Sequence, residues 1–252
     1  MSEEDGFTEK SWHWWMSRIV VPLVVMAVGF AGLLWVNRDN PDDPARASGP
    51  SDNAMCADDA DDLDTGWGPD RPTVGPTGVS GQPSFNVERN NPNYGDERNF
   101  LRLKEASFTS AGEWTDVLDV VPGGEYLLQV YIHNGASAIN SPENVASDTT
   151  VRFGLPTCDG LALALEAVVS SPAAYPQMVF DTAVLRADQA IKVHLVPGSV
   201  QLFNNSFPGG IELPDRVATG GGRVGSAMAD GSVGGGFANS LYVSARVRTS
   251  TR

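Results

Sequence analysis

An uncharged run of 18 residues, IVVPLVVMAVGFAGLLWV at positions 19–36, limits this chain more than any other feature. It is just long enough to cross the hydrocarbon core of a bilayer as a helix. Arg18 closes it on one side, and Asn37 and Arg38 on the other. Trp12, Trp14 and Trp15 precede it and Trp35 ends it, which places amphipathic rings at both lipid–water interfaces. Pro22 falls in the first helical turn, where its missing N–H leaves no internal hydrogen bond unmade. A core helix of a soluble domain would keep a polar face, and this run has none. A cleaved signal peptide is the closer rival, because Ala45, Arg46 and Ala47 resemble a small-x-small processing site. That site lies well beyond an apolar core already longer than a signal peptide needs. The expectation is an uncleaved signal-anchor, with the lipid bilayer as the first partner. Lys10 and Arg18 before the span are matched by Arg38 and Arg46 after it, so the basic residues do not set the direction. The large Pro/Gly-rich domain and its cysteines favour a cytoplasmic N-terminus at 1–18 and an external C-terminal part.

Residues 37–82 contain ten Asp, three Arg and repeated Pro and Gly, with few large apolar side chains. Such a segment cannot bury enough surface to offset the entropy of ordering, and it reads as an acidic, disordered tether. Asp58, Asp59, Asp61, Asp62 and Asp64 are a solvated charge run. In either EF-hand register a residue of the wrong type falls on the turn glycine or on a ligand position. Cys56 lies in the tether and Cys158 in the following domain. In an exported chain the two are expected to pair and clip the tether to the domain. Unpaired thiols and pairing with another chain are the alternatives.

From about position 83 to 252 the hydrophobic period becomes two. Tyr126, Leu128, Val130 and Ile132 share one face, as do Leu161, Leu163 and Leu165, then Ile191, Val193 and Leu195, then Leu241, Val243, Ala245 and Val247. Further strands are expected near 99–104, 115–121, 148–154, 179–185 and 199–204. Turns at 122–124, 134–135, 197–198 and 208–210 separate them. Residues 161–169 also suit a short helix, because Ala, Leu and Glu favour one. Many short strands with no helical stretches between them give an all-β, antiparallel β-sandwich after one N-terminal transmembrane helix; at about 170 residues it is large for a minimal immunoglobulin-like domain, and the surplus is expected in loops.

The string Gly95, Asp96, Glu97, Arg98, Asn99, Phe100, with 90–94 before it and 67–73 further upstream, resembles the opening of a group of uncharacterised exported bacterial surface proteins common in actinobacteria. Residues 121–126, 130–134, 144–146, 151–156 and 196–205 are similar to the bacterial surface repeat called domain of unknown function eleven. The resemblance implies an immunoglobulin-like β-sandwich on the cell surface with no established activity. The glycine-rich stretch at 220–236 and the cysteines have no counterpart in it.

The chemistry that remains is sparse. Seventeen Lys and Arg against 31 Asp and Glu give a net charge of -14, the wrong sign for gripping a phosphate backbone, so no nucleic acid is expected. Three His and two Cys, far apart, form none of the usual zinc or iron–sulfur ligand patterns, and neither metal nor cofactor is expected. Gly220, Gly222 and Gly225 match a dinucleotide string but lack the strand and helix it requires. His133 and His194 are expected on strand faces opposite the apolar stripes, and His13 near the membrane. Asp96 and Glu97 point to opposite sides if extended, so an ion pair with Arg98 is favoured over joint acid–base work. Trp114 and Tyr175 are flat faces of the kind that bind sugar. The expected function is non-catalytic: a surface-displayed domain for adhesion, envelope structure or protein binding. A wall-glycan module and an accessory subunit of a membrane assembly are the alternatives.

Overall fold

Alternation of apolar and polar residues becomes strand wherever a second strand can take up the backbone hydrogen bonds. A computed structural model describes residues 55–63, 65–75, 78–110 and 112–251. The expected cytoplasmic segment, the span at 19–36, the four interfacial tryptophans and the tether up to 54 lie outside the described residues. Among the described residues no helix is long and apolar enough to cross a membrane.

Twelve strands form one hydrogen-bonded sheet, and the domain is all-β. In chain order they are β1 (Cys56–Ala57), β2 (Trp67–Gly68), β3 (Leu101–Glu105), β4 (Val117–Asp119), β5 (Glu125–Ile132) and β6 (Thr150–Gly154). The remainder are β7 (Gly160–Ser170), β8 (Met178–Leu195), β9 (Gln201–Asn204), β10 (Ile211–Glu212), β11 (Gly222–Arg223) and β12 (Leu241–Thr251). All pairings between these strands are antiparallel except β4 on β8. Helical turns among the described residues are short 3-10 segments. Residues 55–108 and 114–251 belong to one compact unit. In the separate segment 109–113, Ser110 donates to Glu113 at 2.8 Å.

β8 organises the sheet. Its first half pairs with β7, Leu163 opposite Leu185 and Val169 opposite Val179, and its last residues pair with β12, Ile191 opposite Thr251. Between the two halves the register with β7 shifts, and a shift of this kind bends a strand. The expected strands at 179–185 and 191–195 are therefore one 18-residue strand. β5 and β9 flank β12, and β3 pairs with β5. Side chains from both ends of β8 enter one buried cluster with Phe85, Phe100, Leu128, Phe153, Leu165 and Val243.

Two sequence expectations change here. Residues 161–169 are strand, since β7 is buried along nearly its whole length and bonds β6 and β8 on its two edges. Tertiary pairing overrides the helix propensity of Ala, Leu and Glu. The segment expected as free tether up to 82 is strapped to the sheet from Met55 onward. β1 pairs with β7, and Met55 and Leu63 bury Ala162, Ala164 and Val184 on the opposite side of β7 and β8 from the main core. That second apolar face is the physical reason for the strap. Cys56 and Cys158 are joined by a disulfide across a separation of 102 residues. β2 lies against β8, where a Cβ on Gly68 would collide with the Phe180 ring.

Candidate functional site

β5 does not stop at a solvated turn. His133, Asn134, Gly135 and Ala136 continue it and are all buried, because the segment 84–99 crosses the face that strand parity alone would leave to solvent. Phe85 bridges Asn134, and Asn86 binds the β5 extension on three sides. Its amide N–H donates to the His133 carbonyl at 2.8 Å, and its side-chain oxygen accepts from the His133 N–H at 3.1 Å. Its side-chain nitrogen donates to the carbonyls of Glu97 and Tyr131 at 3.0 and 2.9 Å. Asn86 has φ 53°, a left-handed conformation that Asn tolerates better than most residues.

This crossing delivers two carboxylates to one histidine. Glu97 is fully buried, and its two oxygens lie 3.0 and 2.9 Å from His133 Nδ1. Asn91 Nδ2 donates to Glu97 Oε1 at 2.8 Å and the Glu88 N–H donates to Oε2 at 3.2 Å. The turn at 91–95 that sets this geometry is closed by the Gly95 N–H donating to Asn91 at 2.8 Å, with Gly95 at φ 88°. Glu88 is also buried, and its Oε1 has no hydrogen-bond partner; neither has His133 Nε2. Burial, and then the nearby Glu97, pushes the Glu88 carboxyl above its ordinary range, while His133 opposes the rise. The Phe237 ring stacks on His133 at 4.2 Å between centroids. Tyr131 and Tyr242 stand close by, their phenols raised first by burial and next by Glu97, Tyr242 to about 12.

The other motif residues point away from this centre. Asp96 and Arg98 form an ion pair at 2.7 Å, and the Arg98 guanidinium lies 3.8 Å over the Trp67 ring. Asp96 and Glu97 do not share a site, but the cause is a turn, closed by the Asn99 N–H donating to the Asp96 carbonyl at 3.2 Å, and not the alternation of an extended strand. Asn99 donates to Asp116 at 2.7 Å, and Phe100 is wholly in the core. His133 lies on the face opposite the apolar stripe, where it is buried and hydrogen-bonded because the segment 84–99 covers that face. His194 is exposed, with Ser250 Oγ 3.4 Å from its Nε2. Gly220, Gly222 and Gly225 run through β11 and a turn, and no α-helix follows among the described residues. Trp114 lies beside Lys104, and Tyr175 projects from the β7–β8 turn. A surface cleft at Arg152, Glu166, Met178 and Phe180 has its charges paired, Arg152 to Glu166 at 2.7 Å.

Above the buried centre three loop segments, 80–86, 134–146 and 231–236, meet at Asn134, a fully buried side chain. Its Oδ1 accepts from the N–H groups of Ser84 and Ala136 at 3.3 and 3.1 Å. Its Nδ2 donates to the carbonyls of Asn144 and Val233 at 2.9 and 3.0 Å. Ser80 is bonded to Gly135, and Tyr175 to Pro83, each at 2.8 Å. These segments, with the residues flanking them, and the β7–β8 turn carry Val79, Ile139, Phe237 and Tyr175, all exposed, Ile139 to 72% and Tyr175 to 62%. Sequence reasoning missed Glu88, Asn86 and the pairing of Glu97 with His133, since no local spacing links residues 36 and 45 positions away to His133.

Asp181 is a separate buried acid. Its carboxylate accepts from the Leu101 N–H at 2.7 Å and the Thr182 N–H at 3.0 Å, and burial pushes it up to about 8 against those donors. An acid whose pKa is raised on folding binds more protons in the native state, so stability falls as pH rises from about 4 towards 8. Asp181→Asn should remove that fall. The check is the urea midpoint of both proteins between pH 5 and 8: a parallel pH dependence would count against the assignment. Comparison of the chain with family models, curated proteins and solved structures found no match in any of the three.

Proposed function

We propose that this is a non-catalytic, single-pass cell-surface protein whose external domain, an immunoglobulin-like β-sandwich, presents its Asn134 loop end to a surface protein or to wall glycan for adhesion or envelope architecture. The observation that carries the reading is the loop end itself. Three loop segments are locked to one buried asparagine, and they and the β7–β8 turn bonded to Pro83 expose Val79, Ile139, Phe237 and Tyr175. Exposed apolar groups held together on rigid loops are characteristic of interaction surfaces. The sandwich reading is supported by β8, whose residues on both sides of the register shift enter one core. The disulfide supports an oxidising compartment, and the apolar run at 19–36 supports an anchor. His133 has the two Glu97 oxygens as ring partners, with no Ser or Cys beside it to act as nucleophile among the described residues.

Protease treatment of intact cells tests the topology. Peptides from 55–251 should be released while residues 1–36 stay with the membrane. Protection until lysis would overturn the external placement. On the same cells, Ile139→Asp with Tyr175→Asp should weaken attachment to purified envelope material at least about tenfold at unchanged display, roughly 1.4 kcal/mol. Unchanged attachment would remove the loop end from consideration.

A further inference from the structure

We propose that Glu88, Glu97 and His133 form a binding site for one divalent transition-metal ion, held by one imidazole nitrogen and one carboxylate oxygen from each glutamate. The three side chains are buried, and their ligand atoms all lie within 4.8 Å of one another. The imidazole and Glu97 are already 2.9 to 3.0 Å apart. An ion with bonds of about 2.0–2.1 Å holds neighbouring tetrahedral ligands roughly 3.3 Å apart, so a modest side-chain rotation closes the set.

An unpartnered atom points to a ligand independently of that clustering. Glu88 is 1% exposed, yet its Oε1 has no hydrogen-bond partner. Buried polar atoms are nearly always satisfied, and an orphan asks for an occupant. Charge asks for the same one. Among the described residues no Lys or Arg forms a salt bridge with Glu88 or Glu97. Two carboxylates balance a divalent cation, whereas two buried carboxylates side by side repel. The imidazole selects against calcium and magnesium, which take oxygen ligands, and in favour of zinc or manganese. The outer partners of a metal site are also in place, with Asn91 orienting Glu97 and Phe237 stacked on the imidazole. An ion here would join the end of β5 to the segment 84–99 directly beneath the Asn134 loops. The inference stands on these residues and not on the display reading.

The test uses the untagged full-length chain in detergent, stripped with chelator and titrated separately with Zn2+, Mn2+, Ca2+ and Mg2+. The wild type should take up one Zn2+ or Mn2+ per chain, with a rise in melting temperature, and bind Ca2+ and Mg2+ more weakly. Glu88→Gln keeps the side chain's shape and should weaken that binding at least about tenfold. X-ray absorption of the wild-type zinc complex, which does not depend on any variant folding, should show one imidazole among oxygen ligands. Absence of stoichiometric uptake, equal binding by E88Q, a ligand shell without imidazole, or Ca2+ binding as tight as Zn2+ would each overturn the assignment.

Discussion

Reducing the Cys56–Cys158 disulfide should lower the free energy of unfolding by about 2–5 kcal/mol. The bridge closes a separation of 102 residues, which the chain-entropy account places near the upper end, at about 4.7 kcal/mol. The native state loses something too. β1 pairs with β7 over two residues only, and Met55 and Leu63 form the cover over Ala162, Ala164 and Val184. Without the bridge, the entropy of ordering the strap opposes that small apolar contact directly. Urea unfolding of Cys56→Ser with Cys158→Ser should give a lower midpoint and a steeper slope, because the unbridged unfolded chain exposes more surface. In a domain of this size the loss corresponds to a fall in melting temperature of roughly 5–15 °C. An unchanged midpoint would mean that the strap is held by its packing alone.

Asn134→Ala should cost about 3–5 kcal/mol, unusually large for a small polar residue. The substitution leaves the N–H groups of Ser84 and Ala136 and the carbonyls of Asn144 and Val233 without the partner they share. Each buried backbone group deprived of a partner costs about 1–3 kcal/mol, reduced where water can enter. The damage should be local as well as global. Hydrogen exchange should accelerate most in 80–86, 134–146 and 231–236, while amides in the centre of β7 and β8 follow the global change alone. Asn134→Asp retains the acceptor and loses both donations, so it should fall between the two. A uniform change along the sheet would show that Asn134 is simply one more core residue.

Strands were legible wherever alternation extends over four residues or more. Tyr126, Leu128, Val130 and Ile132 announce β5 because one face packs inward while Leu127 and Gln129 stay half-exposed. β1, β2, β10 and β11 have two residues each, too few to show a period, and exist because a neighbouring edge offers hydrogen bonds. The unity of β8 was hidden by residues 186–190, whose polar, exposed character reads as a turn although the backbone stays extended. At the candidate site, Asp96 and Glu97 lie at a turn closed by the Asn99 N–H on the Asp96 carbonyl, so strand parity does not govern their separation. The burial of His133 is not given by parity either, because parity assigns a side chain to a face without saying whether another segment covers that face.

The sequence by itself determined what local interactions determine: an all-β domain, its principal strands, the turns at 122–124, 197–198 and 208–210, and an apolar run at 19–36 of spanning length. Each of these depends on neighbours within a few residues, where period, turn chemistry and hydrophobic length act directly. Only the tertiary structure decided that the chain from Met55 is strapped across β7 and β8, that three loop segments share Asn134, and that Glu88, Glu97 and His133 meet in one buried centre. Those contacts join residues tens of positions apart. Their geometry is set by which sheet edges and faces remain to be covered once the strands have paired, and that quantity has no local signature in the chain.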